Sequence, residues 1–181
     1  MIVHQASWSP SRRDELVLFF LLFSNLYCVN RRRAETLANR SSFAMRYFLA
    51  KTDPGTYSID RFEQEGSTVW DGVRNPQAVK AIQQMKPGDT VFIYHSMGAP
   101  AVVGLAKVES EPWENPAEQK SWVVQMRFQE RLEPATTLAE IKQSGLFADW
   151  VLIRQGRLST MEAPAEFAAW MKKRYPNSGI S

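Results

Sequence analysis

Six consecutive residues, Trp70-Asp71-Gly72-Val73-Arg74-Asn75, hold the densest mixture of recognition chemistry in this chain. The Trp70 indole offers a face on which a flat heterocycle can stack, worth ~1–3 kcal/mol per ring. Asp71 and Asn75 can read the hydrogen-bonding edge of such a ring, and Arg74 can hold a phosphate. Gly72 lets backbone approach a ligand closely. Taken singly, Trp70 also reads as a core residue, Asp71 and Arg74 as a surface pair, and Asn75 as a helix cap.

Two further clusters supply complementary groups. Tyr94-His95-Ser96 could add a second aromatic wall and two hydrogen-bonding side chains, and equally could be the surface end of a strand. Arg154 and Arg157 flank Gly156, an arrangement suited to a phosphate and equally to a solvated strand edge. Lys51 closes the first strand and reads as surface. Trp113, Trp122, Trp150 and Trp170 read as core, with Trp122, Val124, Met126 and Phe128 alternating on one strand face.

The elements that must position these groups follow from periodicity and turn chemistry. RYFLAK (46–51) alternates as a strand. TDPGTYS (52–58) is a turn, and Ser58 caps a short helix that Gly66 ends. STVW opens a short strand that runs into the WDGVRN loop. Asn75 as N-cap and Pro76 as first helical residue start a helix on which Ala78, Ile82 and Met85 share a face. TVFIYHS (90–96), AVVGLAKVES (101–110) and SWVVQMRFQERL (121–132) are strands, with Gly104 marking a bulge or a close backbone approach. TTLAEIKQSG (136–145) is a helix, LIRQGRLSTM (152–161) a basic strand or loop, and Pro164 opens a last helix. RYPNSGIS is a frayed tail. Closely spaced strands mixed with helices give an α+β domain. Its sheet is antiparallel or mixed and curls into a barrel with helices around it.

Charge divides the chain. Residues 1–44 hold six arginines against three acids, whereas residues 45–181 hold 16 basic and 16 acidic side chains. The domain is therefore no bulk polyanion binder, and a nucleic-acid partner would have to be held by local geometry. The apolar run LVLFFLLFSNLY (16–27) is shorter than the ~20 residues a spanning helix needs. It resembles a signal-peptide core, but Asp14 and Glu15 interrupt its basic flank. We read residues 1–44 as an extension upstream of a natural start at Met45, and residues 45–181 as the domain, in a cytoplasmic setting without a membrane partner.

Catalytic chemistry finds few supports. The single cysteine, Cys28, and two histidines, His4 and His95, leave no disulfide and no metal set. Phosphate loops, dinucleotide loops and nucleophile elbows are missing. The expectation is a binding module that uses no cofactor. Asp71 and His95 as an acid–base pair of a base-processing enzyme, or a small-anion-binding adaptor, are the alternatives.

Five stretches in order resemble the EVE domain, a PUA-like fold related to YTH readers: YFLAKTDPGTYSIDRF, WDGVRNPQA, VFIYHS, VVGLAKV and RQGRLS. The resemblance implies a pseudo-barrel with a concave pocket for a modified base, of the modified-cytosine or N6-methyladenine class, in DNA or RNA. It implies that Trp70 is a cage wall and that Asn75, Tyr94, His95 and Ser96 neighbour the pocket. Lys51, Thr52 and Arg154 would then reach a phosphate or base edge. The implied partner is a nucleic acid carrying the modified base; with no nuclease or other effector motif in the sequence, a separate effector protein is the expected second partner. Thr52 and Asp53 stand where Ser and Glu are usual. Pro76 and Val79 replace a tyrosine and a basic residue, which removes one aromatic and one phosphate contact. Trp70→Ala is expected to abolish binding and leave the domain folded.

Overall fold

The structure, a computed structural model, describes residues 45–180. The reading of residues 1–44 lies outside them. Strand β1 (Tyr47–Thr52) is followed by helix α1 (Ile59–Glu65), β2 (Ser67–Trp70), α2 (Pro76–Gln83), β3 (Thr90–His95), β4 (Ala101–Val108) and β5 (Trp113–Glu114). Then come β6 (Trp122–Thr137), α3 (Leu138–Gln143), α4 (Val151–Arg154), β7 (Thr160–Ala163) and α5 (Ala165–Arg174).

One mixed sheet runs in the order β2-β6-β4-β3-β1-β7, with β5 paired outside this path to β6. The β1–β3 ladder is parallel and all others are antiparallel. This is the α+β, PUA-like arrangement expected from the sequence. Helix α2 touches both β6 and β7. Those strands belong to opposite halves of the ladder, so the helix bridges the curl of the sheet.

Local chemistry explains the element boundaries. Ser58 accepts the Arg61 amide at the start of α1, and Gly66 ends that helix at φ 71°. Asn75 accepts the amides of Gln77 and Ala78, with Pro76 as the first helical residue of α2. Thr137 and Glu140 form a reciprocal capping box that starts α3. At Gly104 the β4 register shifts, and a Cβ would lie 2.7 Å from Ile59 Cδ1 and 2.9 Å from the Glu130 carbonyl. Both expectations for this glycine hold. Phe48, Leu49, Phe92, Phe62, Ile82 and Phe167 form the buried centre between sheet and helices.

Four expectations need correction. Residues 151–154 form a helical turn, and only Thr160–Ala163 is strand. Burial of Trp150 and Leu152, with the Trp150 indole N–H donating to the Glu162 carbonyl at 3.0 Å, overrides the β-branched character of this run. Trp113 is 38% exposed because β5 hangs off the β6 edge. β6 continues past residue 132 to Thr137. The C-terminal residues are not frayed: the Tyr175 hydroxyl bonds Thr136 Oγ1 and the Pro134 carbonyl, the Gly179 amide donates to Glu130, and Ile180 is buried.

Candidate functional site

Where β1 and β2 end, the chain leaves a cavity of about 450 Å³. The β1 end contributes Lys51 and Thr52, and the turn that follows contributes Thr56 and Tyr57. α1 contributes Arg61 and Glu65; β2 and the loop after it contribute Thr68, Val69, Trp70, Asp71, Gly72 and Val73. Ser159, just before β7, completes the wall.

Its aromatic surfaces are Tyr57 and Trp70, whose rings meet edge to face with centroids 6.3 Å apart. Trp70 is mostly buried and presents only a margin to the cavity. Tyr57 is fixed through its backbone, because the Thr52 hydroxyl donates to the Tyr57 carbonyl at 2.9 Å and Asp53 accepts the Gly55 amide. The Tyr57 hydroxyl donates to Glu65 Oε2 at 2.7 Å, and Arg61 Nε donates to Glu65 Oε1 at 2.7 Å. The Arg61 guanidinium lies over the Tyr57 ring at 5.1 Å. These bonds hold the Glu65 carboxyl below the usual carboxylate range, the Tyr57 bond contributing most and Arg61 next. Burial pushes the Tyr57 phenol up.

Lys51 is held from two sides. Its amide donates to the Ser159 carbonyl at 2.7 Å, and its Nζ donates to the Gly156 carbonyl at 3.1 Å. Burial lowers its pKa below the ordinary 10.5. The loop from Trp70 to Asn75 is anchored behind by a buried bond from Ser121 Oγ to the Val73 carbonyl, 3.1 Å.

The structure thus gathers Lys51, Thr52, Trp70, Asp71, Gly72 and Val73 around one space, and sends the other expected residues elsewhere. Asn75 is spent on capping α2. Arg74 pairs with Glu118. Tyr94 is buried behind Lys51, whose Nζ lies 5.6 Å from its ring, because the two are partners in the parallel β1–β3 ladder. His95 Nε2 accepts the Ile59 amide at 3.1 Å. That bond ties the ring to the start of α1 and engages its acceptor nitrogen, and His95 does not line the cavity that Asp71 lines. Ser96 Oγ donates to the Thr52 carbonyl. Arg154 pairs with Asp149 at 3.5 Å, and Arg157 stands exposed on the segment leading to Ser159.

Tyr57, Arg61 and Glu65 went unread as site residues. Their signal was the four-residue spacing, which lines an aromatic up with an i,i+4 ion pair. Among the described residues no group of three His, Cys, Asp or Glu could hold a metal ion. No described helix is long and apolar enough to cross a membrane.

Comparison with known proteins gives a family and a set of structural relatives. The EVE domain matches residues 46–173. Thymocyte nuclear protein 1 of Danio rerio is 30% identical over 122 residues, 54% of this chain and 53% of that protein. The chain thus spans about half the length of this relative. An NMR structure of a Rhodopseudomonas palustris protein superposes with a TM-score of 0.67 at 31% identity, covering 71% of this chain and 92% of that one. Human THYN1, crystallised in complex with 5-methylcytosine-containing DNA, has the same fold, with a TM-score of 0.63 at 24% identity over 71% of this chain and 96% of that one.

Proposed function

Since this chain belongs to the EVE domain family, we propose that it binds a modified nucleobase, presented single-stranded or flipped out of a duplex, in the cavity between Tyr57 and Trp70. The observation that carries the reading is the pairing of two aromatic walls with charged groups of both signs in one space open to solvent. Human THYN1 in complex with 5-methylcytosine-containing DNA supports modified cytosine as the first ligand class to test. N6-methyladenine, in DNA or RNA, is the second.

Physical chemistry sets the demands on such a site. A methyl group adds only ~0.8 kcal/mol of transfer free energy, about a fourfold preference. Selectivity beyond that comes from a close fit and from polar groups left unpaired by the wrong base. Unstacking a base costs a few kcal/mol, least in a single strand. Lys51, at the cavity wall with the Gly156 carbonyl and the Tyr94 ring beside its ammonium and, among the described residues, no carboxylate paired to it, supplies a cation for the adjoining phosphate.

The test is a titration of the whole chain, followed by tryptophan emission. Its ligands are short single strands with one central cytosine, 5-methylcytosine, 5-hydroxymethylcytosine, adenine or N6-methyladenine, in DNA and RNA. One modified form binds more tightly than its parent base. Tyr57→Ala lowers that affinity by one stacking interaction, ~1–3 kcal/mol, or about 5–150-fold, with the circular dichroism of the fold unchanged. Equal, weak binding to every strand would sink the reading. Trp70→Ala is the wrong variant for this purpose. The indole is 7% exposed, and emptying such a site costs ~3–5 kcal/mol of stability, so lost binding in that variant would not separate a ligand contact from a weakened fold.

A further inference from the structure

The polar groups of the cavity differ in what is left over for a ligand. Both Glu65 oxygens are engaged, one by the Tyr57 hydroxyl and one by Arg61 Nε. The Thr52 hydroxyl is engaged by the Tyr57 carbonyl. Asp71 is different. It lines the cavity, it is exposed, and among the described residues its carboxylate has neither a hydrogen bond nor an ion pair. A carboxylate is an acceptor only, so whatever docks against it must bring a donor.

The position of Asp71 is also fixed. It is the first residue after β2, whose Trp70 is paired with Val124 of β6. Two residues further on, the Val73 carbonyl takes the buried bond from Ser121, and Asn75 then caps α2. The acceptor is therefore presented from a braced loop, the condition under which an unmatched partner cannot be avoided by a small movement.

We propose that Asp71 is the specificity residue for an exocyclic amino group, so that the site takes amino-bearing bases of the cytosine and adenine kind and rejects their oxo counterparts. This rests on the modified-base reading given above. The contact is the pairing of an acidic side chain with the cytosine N4 or adenine N6 amino group. Thymine is the informative competitor. It has the ring and the 5-methyl group of 5-methylcytosine and differs by an oxygen at position 4, which would confront the Asp71 carboxylate with a second acceptor. Binding sites built around a polar group reject an analogue that leaves the group unpaired far more strongly than a hydrophobic pocket rejects a missing methyl.

The experiment compares affinities of the whole chain for otherwise identical single strands carrying 5-methylcytosine or thymine. A second matched pair carries N6-methyladenine or N6,N6-dimethyladenine, which has no N6 donor. The expected result is at least about tenfold weaker binding of the member without the amino donor in the pair that binds better. In Asp71→Asn the side-chain amide can donate to an oxo group, so the 5-methylcytosine-to-thymine ratio falls toward one while thermal stability is retained. Equal affinity for 5-methylcytosine and thymine, with both preferred over cytosine, overturns the role of Asp71 and leaves the modified-base reading standing. An unchanged ratio in Asp71→Asn overturns it as well. Binding none of these strands overturns both.

Discussion

Gly72 adopts φ 69° directly after Asp71, and no atom lies within 4 Å of where its Cβ would be. The requirement for glycine is therefore one of backbone conformation, not space. Gly72→Ala costs ~1–2 kcal/mol for holding an L-residue in the left-handed region, measurable by denaturant unfolding. An unchanged midpoint would mean that the loop relaxes to a negative φ, which would move Asp71. At this scale the contiguous site residues were legible. Trp70, Asp71, Gly72 and Val73 stand together in the sequence and together in the cavity wall. Tyr57 was hidden because it precedes a capping serine and reads as turn. Tyr94 and His95 misled because their chemistry is used internally, the one under Lys51 and the other against the α1 amide.

At the scale of elements, His95 couples β3 to α1. Burial lowers its pKa below the ordinary 6.5. Asp60 and Asp53 pull the other way, and Arg131 adds to the lowering. Protonation would also remove the lone pair that accepts the Ile59 amide. Above about pH 6.5 both folded and unfolded chains carry a neutral ring, and the contribution is complete. As pH falls from there toward the folded value, the unfolded chain gains a proton that the folded one resists, and stability declines. Thermal unfolding between pH 7.5 and 5.5 should show this decline, and His95→Gln, which keeps an acceptor but does not titrate, should reduce it. A variant with the same pH profile as the parent would remove His95 as the cause. Caps and strands were legible because each rests on a local rule, as at Ser58, Asn75 and Gly104. The turn at residues 151–154 was not, because it is imposed by distant burial of Trp150 and Leu152. The ordered end of the chain was invisible for the same reason: Tyr175 and Ile180 are held by partners on β6 and in the core.

For the whole molecule, charge separates a pocket binder from a groove binder. Residues 45–181 carry balanced charge, so the proposed binding is expected to neutralise few phosphates. Each phosphate contact adds about −0.7 to the slope of log affinity against log salt for a single strand. Lys51→Gln should flatten the slope of the full chain by about 0.7 and weaken modified and unmodified strands alike. An unchanged slope would exclude Lys51 as the phosphate contact. The order of the strands carries a different consequence, one that concerns synthesis. β1 is the first strand of the described sheet to be made, yet it is buried between β3 and β7, and its Phe48, Leu49 and Ala50 are fully covered in the finished sheet. Its β7 partners run from Thr160 to Ala163. At about 5–20 residues per second the ribosome needs on the order of 5–20 s to reach them. Throughout that interval a hydrophobic strand has an open edge, which is a template for pairing with other chains. The sheet cannot close over β1 until β7 has been made, and until then the edge of residues 47–50 that β7 covers stays open to pairing with other chains.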